Sequence, residues 1–271
     1  MHADLHLHTN FSDGTYTPEE LAGHGQRVGL AAMSLTDHDT VDGCARMAAA
    51  CAEREIEFVP GCEFTVEHAG IELHLLGYLM DTEHARLCSE LAKYQEVRRN
   101  RIHEMVSKLN GLGLKITSEE VMKLANCDAP GRPHIGRALV AAGHCRTLDE
   151  AFRKYLKKGK PGWVPKAKLT AAEAITLIHE AGGLAVIAHP GLYHRDEVIP
   201  PLVDAGLDGI ECFYTRHSTS MTENYLMLAE EHGLLVTGGS DCHGDNKGKP
   251  LIGCVKLPYE FLARMKSAVL A

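Results

Sequence analysis

The sequence predicts an α/β fold built on a parallel sheet, and three observations carry that expectation. Apolar runs of strand length alternate with helical stretches in both the first and the last part of the chain. Strand after strand ends in ionisable residues, as in HLH, TDHD, AHPG and SDCHG. No GxGxxG, the signature an open doubly wound sheet would need, follows the first strand. Polar strand ends fit better the C-terminal face of an α/β barrel, where that architecture gathers its active sites.

The first strand lies in ADLHLH. Alternate residues share a face of a strand, so Asp4, His6 and His8 stand together, with Leu5 and Leu7 opposite. Two imidazoles one pleat apart can hold one metal ion, and Asp13 follows in an Asp-Gly turn from which a carboxylate can swing back. Thr17-Pro18-Glu19-Glu20 combines a capping threonine, a proline at the first helical position and a glutamate at the third, which predicts a helix to about Val28. The same T-x-x-E signal returns at Thr117, Thr147 and Thr170. LAAMSLTDHDT is a second strand ending at Asp37, His38 and Asp39, followed by a helix to about Arg54. IEFVPGCEFT is a third, with Glu63 just past its proline-glycine break. IELHLLGYL is a fourth, with Glu72, His74 and Leu76 on one face.

From about Asp81 to Leu169 the pattern changes to four helical segments rich in arginine and lysine, without a convincing strand. An inserted helical subdomain (81–169) between two barrel segments (1–80 and 170–271) is expected. GLAVIAHPG, LDGIECF and LLVTGGSDCHG then resume the strand-helix alternation.

A chain of 271 residues with 45% hydrophobic and 24% charged residues has the composition of a globular protein with a sizeable core. Its net charge of −8 argues against a broad nucleic-acid interface but leaves room for a small cationic pocket. Nine scattered cysteines without a CxxC pair suggest free thiols and a reducing, cytoplasmic setting. No apolar run approaches the ~18 residues of a membrane span, and nothing points to an obligate protein partner. Seventeen histidines stand out.

His6, His8, Asp13, His38, Glu63, His74, His189, Asp241 and His243 collect at polar strand ends. Imidazole with carboxylate suits manganese, zinc or iron, and the absence of a cysteine cluster argues against a purely structural zinc. Asp4, Asp37 and Asp39 are candidates for orienting the ligating imidazoles, with an N-cap as the alternative for Asp39. For substrate, Arg132 and His134 precede a helix, Arg98 and Arg101 share a helical face, and Lys160 adds a further cation. His217, past the strand LDGIECF, could donate a proton to phosphate or leaving oxygen. Trp163, the only tryptophan, suits packing of the insertion or stacking on a base.

HLH with SDG, TDHD, GCE, ELHLLGY, AHPG and SDCHG, in that order, resemble the motifs of the polymerase and histidinol phosphatase (PHP) family of metal-dependent phosphoesterases. GRPHIGRALV and KYLKKGKPGWVPK are similar to its bacterial 3′,5′-nucleotide bisphosphate phosphatase branch. The resemblance implies a distorted seven-stranded TIM-like barrel and two or three divalent ions, with manganese the first choice. It implies one site from His6, His8, Glu63 and Asp241. A second would use Glu63 as a bridge with His74 and His189, and a third Asp13, His38 and His243. Glu63 and Asp241 would then stand at the reacting centre. The expected reaction is removal of the 3′-phosphate from small 3′,5′-bisphosphonucleotides. Short 5′-phosphorylated oligonucleotides, histidinol phosphate, sugar phosphates and cyclic phosphates are enzymatic alternatives. A metal-stabilised structural or regulatory module is the non-enzymatic one.

Overall fold

A computed structural model of the chain describes residues 1–166, 168–247 and 250–270. All four T-x-x-E signals start helices. Thr17, Thr117 and Thr170 form reciprocal capping boxes at α1 (Pro18–Arg27), α4 (Ser118–Ala125) and α7 (Ala171–Glu180). Thr147 accepts the Glu150 N–H at the start of α6 (Leu148–Ala151).

Among the described residues nine strands form one sheet. Its order is β8 (Leu235–Gly239), β7 (Gly209–Tyr214), β6 (Leu184–Ile187), β4 (Ile71–Tyr78), β3 (Glu57–His68), β2 (Ala32–Leu35), β1 (His2–Asp4) and β9 (Leu257–Pro258), with β5 (Leu169–Thr170) beside β3. Two of the nine, β5 and β9, are two-residue pieces added to the expected seven. The ends of the sheet meet through the segment after β1. There Leu5 N–H donates to Gly238 O (3.1 Å), Asp241 N–H to His6 O (2.9 Å) and His8 N–H to Cys242 O (3.0 Å). The sheet is therefore a nearly closed, TIM-like barrel. The closure also shows why ADLHLH is not a strand throughout: His6 and His8 ride on the seam, both fully buried.

Two strands run against the rest of the barrel, the two-residue β9, antiparallel to β1, and the longer β4. β4 is antiparallel to both β3 and β6. Ala69 (φ +50°) and Gly70 (φ +78°) turn the chain back between β3 and β4, the two positive φ angles that a tight type I′ hairpin turn requires. His74 therefore reaches the polar end of the barrel from the first half of its strand rather than from a C-terminal end.

Ala3, Val59, Tyr78 and Val186 meet Leu262 and Met265 of α10 (Tyr259–Val269) in a buried cluster at the opposite end. The Tyr78 hydroxyl crosses there to donate to Leu5 O at 2.9 Å. α7 and α9 (Thr219–His232) cover one outer face of the sheet, and α1 and α2 (Cys44–Ala52) another. Between β4 and β5 run α3 (Ala85–Gly111), α4, α5 (Arg132–Ala141), α6 and a π-helical turn at Phe152–Leu156. These helices share a hydrophobic cluster of their own, centred on Met105, Leu109, Ile135 and Leu156. No described helix is long and apolar enough to cross a membrane.

Candidate metal centre

Glu63 sits in β3 with its side chain buried under the seam. Its Oε2 lies 3.3 Å from His6 Nε2, 3.2 Å from His8 Nε2 and 3.1 Å from His38 Nδ1. None of these four buried atoms has a hydrogen-bond partner among the described residues. Buried polar atoms are nearly always paired, so four orphans pointing at one another call for an explanation. Ligand atoms ~2.1 Å from one ion are about 3.0–3.4 Å apart in octahedral or tetrahedral geometry. The observed spacings are of that size.

The electrostatics agree. Burial disfavours charge on His6, yet Glu211, Glu63 and Asp241 raise its pKa well above the ordinary value. Burial also opposes charge on His8, which Asp241 and Glu63 nevertheless raise to about 9. Burial would raise Glu63, but His38, His74 and His6 hold it well below the usual carboxylate range. The acidic groups thus demand positive charge where the imidazole lone pairs converge. Both observations fit divalent cations.

Three sets of ligand atoms lie within 4.8 Å of one another: His6, His8, Glu63 and Asp241; His8, Asp13, His38 and His243; and His38, Glu63 and His74. The structure so brings together all nine residues singled out in the sequence, with one change from the expected grouping. His8 and His38 each belong to two sets. His189 adjoins Glu63 through the other oxygen, its Nε2 3.0 Å from Oε1, beside His74 Nδ1 at 2.7 Å.

Backbone shape aims several of these groups. His189 (φ +31°) and Asp241 (φ +53°) follow β6 and β8 in the left-handed region, which non-glycine residues seldom occupy. Such strain gathers at functional sites.

Behind the cluster stands a ring of acceptors and donors. The His6 Nδ1–H donates to Glu211 Oε1 (2.9 Å), and the His189 backbone N–H donates to Glu211 Oε2 (2.7 Å). Glu211 was not singled out in the sequence, although an acid flanked by Ile210 and Cys212 inside the strand was the available signal. The Tyr193 hydroxyl accepts from His74 N–H and lies 3.1 Å from His189 Nδ1, and Tyr214 donates to Asp241 Oδ2 at 3.0 Å. Asp37 accepts the Thr9 N–H and both hydroxyls of Thr9 and Ser12. Asp4 accepts the Ser240 N–H, and burial pushes its carboxyl up to about 6.

Two cavities open here. The first, of about 280 Å³, is lined by the metal-cluster residues, by Tyr214 and Arg216 from the barrel, and by Pro133, Leu148 and Phe152 from the helical segment. The second, of about 110 Å³, shares Asp13, His38, His74, Pro133 and Phe152 with the first, and adds Arg98, Arg101, Arg132 and Lys166.

The expected cations divide accordingly. Arg132 faces the second cavity, with a long contact to Glu72 (3.7 Å) as its one ion pair among the described residues. Arg101 donates one N–H to Val164 O and also lines it. Arg98 corrects the expectation. It is buried and paired with Asp39 at 2.7 Å, where Lys166 is the second partner. Asp39, with a positive φ of 52°, is consequently no N-cap, and α2 begins after Gly43. His134 is also corrected. It is buried with Nδ1 accepting the Gly131 N–H at the start of α5, and burial lowers its pKa to about 4. Lys160 is exposed on the surface and lines neither cavity. His217 has both ring nitrogens engaged, Nδ1 with Cys212 O (2.9 Å) and Nε2 with the Gly191 N–H (3.2 Å), so it has no proton to spare for phosphate. The cations missed in the sequence are Lys166 and Arg216.

Residues 4–162 match the model of the PHP domain. The chain is 35% identical over 258 residues to a 3′,5′-nucleoside bisphosphate phosphatase of Chromobacterium violaceum, covering 92% of this chain and 90% of the relative. It is 32% identical over 247 residues to the 5′-3′ exoribonuclease Rnm of Escherichia coli, with 89% and 84% covered. The crystal structure of a candidate metal-dependent phosphoesterase from Bifidobacterium adolescentis superposes with a TM-score of 0.90 at 30% identity, covering 98% of this chain and 95% of that one. The chain belongs to the PHP domain family, and it is a metal-dependent phosphoesterase.

Proposed function

We propose that this enzyme removes the 3′-phosphate from small nucleoside 3′,5′-bisphosphates. One observation carries the reading: the cavity over Glu63 shares a wall with a second cavity that presents Arg101 and Arg132. One phosphate would react at the first while the other is anchored at the second. The relative from C. violaceum is named for that substrate.

His6, His8, Asp13, His38, Glu63, His74, His189, Asp241 and His243 would hold two or three divalent ions, and carboxylate mixed with imidazole without thiolate suits manganese, zinc or iron. Bound divalent ions supply Lewis acidity, lowering the pKa of water and offsetting charge on phosphoryl oxygens. The protein's own part is orientation. Glu211 accepts a hydrogen bond from the Nδ1–H of His6, which keeps the proton there, so Nε2 presents its lone pair inward. Arg132 can meet a phosphate with paired N–H donors, which fixes the ester for in-line attack and makes the anchored phosphate contribute to rate. All nine cysteines are unbridged, which suits a reducing compartment such as the cytoplasm.

The same geometry accepts a short 5′-phosphorylated oligonucleotide whose first internucleotide phosphate occupies the reacting position, and the E. coli relative is named for 5′-3′ exonuclease action.

Phosphate release should be measured with manganese on a panel of 3′,5′-bisphosphonucleotides, 3′-mononucleotides, a 5′-phosphorylated dinucleotide, histidinol phosphate and a sugar phosphate, alongside elemental analysis. The bisphosphonucleotides should lead the 3′-mononucleotides by a factor of about 10 or more, consistent with one charged hydrogen bond. Equal rates on the two would remove the anchoring argument. Fewer than two metals per chain at full activity would remove the multinuclear one.

A further inference from the structure

We propose that Arg137 of α5 is the positioning residue that aims the Asp13 carboxylate, so that one ion site of the cluster depends on how the helical segment docks. The proposal rests on the metal reading, in which Asp13 belongs to the set formed with His8, His38 and His243.

Asp13 is held differently from its neighbours in the cluster. His6, His8 and Asp241 sit on the hydrogen-bonded seam of the barrel, and Glu63 and His74 lie within paired strands. Asp13 instead lies in the loop between β1 and α1. Two successive carbonyls of that loop are held from the helical segment. Cys127 Sγ–H donates to Ser12 O at 3.2 Å, and Arg137 Nη2–H donates to Asp13 O at 2.6 Å.

These contacts set the direction of the side chain. A peptide group is planar, so holding its carbonyl and its N–H fixes the whole plane. The Asp13 carbonyl is held by Arg137, and the Gly14 N–H of the same peptide donates to Thr9 O at 2.9 Å. Cys127 holds the peptide on the other side of the Asp13 Cα. With both flanking planes pinned, the Cα–Cβ bond has one direction. Arg137 donates to the carbonyl and not to the carboxylate of Asp13, which leaves Oδ1 turned to His243 Nε2 (3.2 Å) and His38 Nε2 (3.9 Å). The helix that presents Arg132 to the second cavity therefore also braces an ion site.

The test titrates manganese into metal-free protein by calorimetry, for the parent, Arg137→Met, Arg137→Lys and Asp13→Asn, with thermal melts to establish folding. Methionine keeps much of the packing volume and loses the donor, whereas lysine keeps both charge and donor. Arg137→Met should weaken one bound ion by about 10- to 100-fold, the usual cost of losing a group that orients a ligand, and leave the others within about 3-fold. Asp13→Asn should weaken the same ion at least as much, and Arg137→Lys should stay closer to the parent than Arg137→Met does. Raising manganese should return the phosphatase kcat of Arg137→Met to near that of the parent, which a distorted site would not allow. Unchanged affinities in Arg137→Met, or an equal weakening of every ion, would overturn the proposal. So would ions that all ignore Asp13→Asn, a result that leaves a dinuclear reading of the other residues in place. A parent holding fewer than two ions would overturn the multinuclear reading and this proposal together.

Discussion

Asp39 and Glu63 are both carboxylates buried under the same edge of the barrel, and their surroundings differ in kind. Asp39 meets Lys166, Arg98 and the Thr65 backbone N–H. Burial alone would raise its pKa, but the two cations hold it well below the carboxylate range. Among the described residues the Glu63 carboxylate meets imidazoles, and its Oε2 has no hydrogen bond there. The fold neutralises one acid with its own cations, which ties the helical segment to the barrel. It leaves the other short of positive charge, and that shortage is what an external cation would relieve. Arginine 98 and lysine 166 are spent on the first task. Arg101 and Arg132, with weaker internal partners, remain for substrate.

The largest test of this contrast exchanges the two roles. Glu63→Gln removes a charge from the point where three imidazoles converge. Turnover should fall below about 1% of the parent, more than the ~10–100-fold typical of losing an outer partner, while the melting temperature of metal-free protein changes little. Arg98→Ala should behave in the opposite way. One of two cations beside a buried carboxylate is lost, so stability to denaturant should drop by on the order of 3 kcal/mol, with metal content retained. A Glu63→Gln enzyme with more than a few per cent activity would make its neighbours coincidental. An Arg98→Ala protein of unchanged stability would show that Asp39 does not need its partner.

Glu211 probes the next layer out. Its carboxylate holds the His6 Nδ1–H, and the neutral amide of Glu211→Gln keeps the shape while weakening that hold. Metal affinity measured by calorimetric titration should weaken by ~10–100-fold. Affinity equal to the parent would make Glu211 a support for the His189 backbone alone.

The residues that converge around Glu63 were legible because their types are chemically rare at strand ends, so His38 or Asp241 stands out one residue at a time. The barrel was legible because strand-helix alternation and the T-x-x-E starts are local signals. The reversed β4 was not, since its hairpin rests on positive φ angles at Ala69 and Gly70, and only the glycine hints at that in sequence. The cations were the least legible. A helical arginine looks the same whether it neutralises a buried acid, as Arg98 does, or faces a cavity, as Arg132 does. Which occurs depends on where Asp39 comes to rest some sixty positions away in sequence. His217 misled because proximity to the active end says nothing about hydrogen bonds to Cys212 O and Gly191 N–H.

The smallest effects separate the two kinds of cation within the helical segment. Arg132 lines the second cavity with a 3.7 Å contact to Glu72, whereas Lys160 lies exposed outside both cavities. Arg132→Ala should lower kcat/KM on a 3′,5′-bisphosphonucleotide by about 10- to 100-fold, the equivalent of a charged hydrogen bond of ~1.5–3 kcal/mol. On p-nitrophenyl phosphate, which has no second phosphate, the loss should be much smaller. Equal losses on both substrates would place Arg132 at the reacting phosphate instead of the anchor. Lys160→Ala should leave both activities within about 2-fold. A solvated lysine at that distance acts only through a field that salt screens over ~8–10 Å. Any larger effect of Lys160→Ala that vanishes at higher ionic strength would therefore report long-range steering of an anionic substrate. One that persists in salt would require Lys160 to reach the substrate directly, and would reopen the boundary drawn here between anchoring and surface cations.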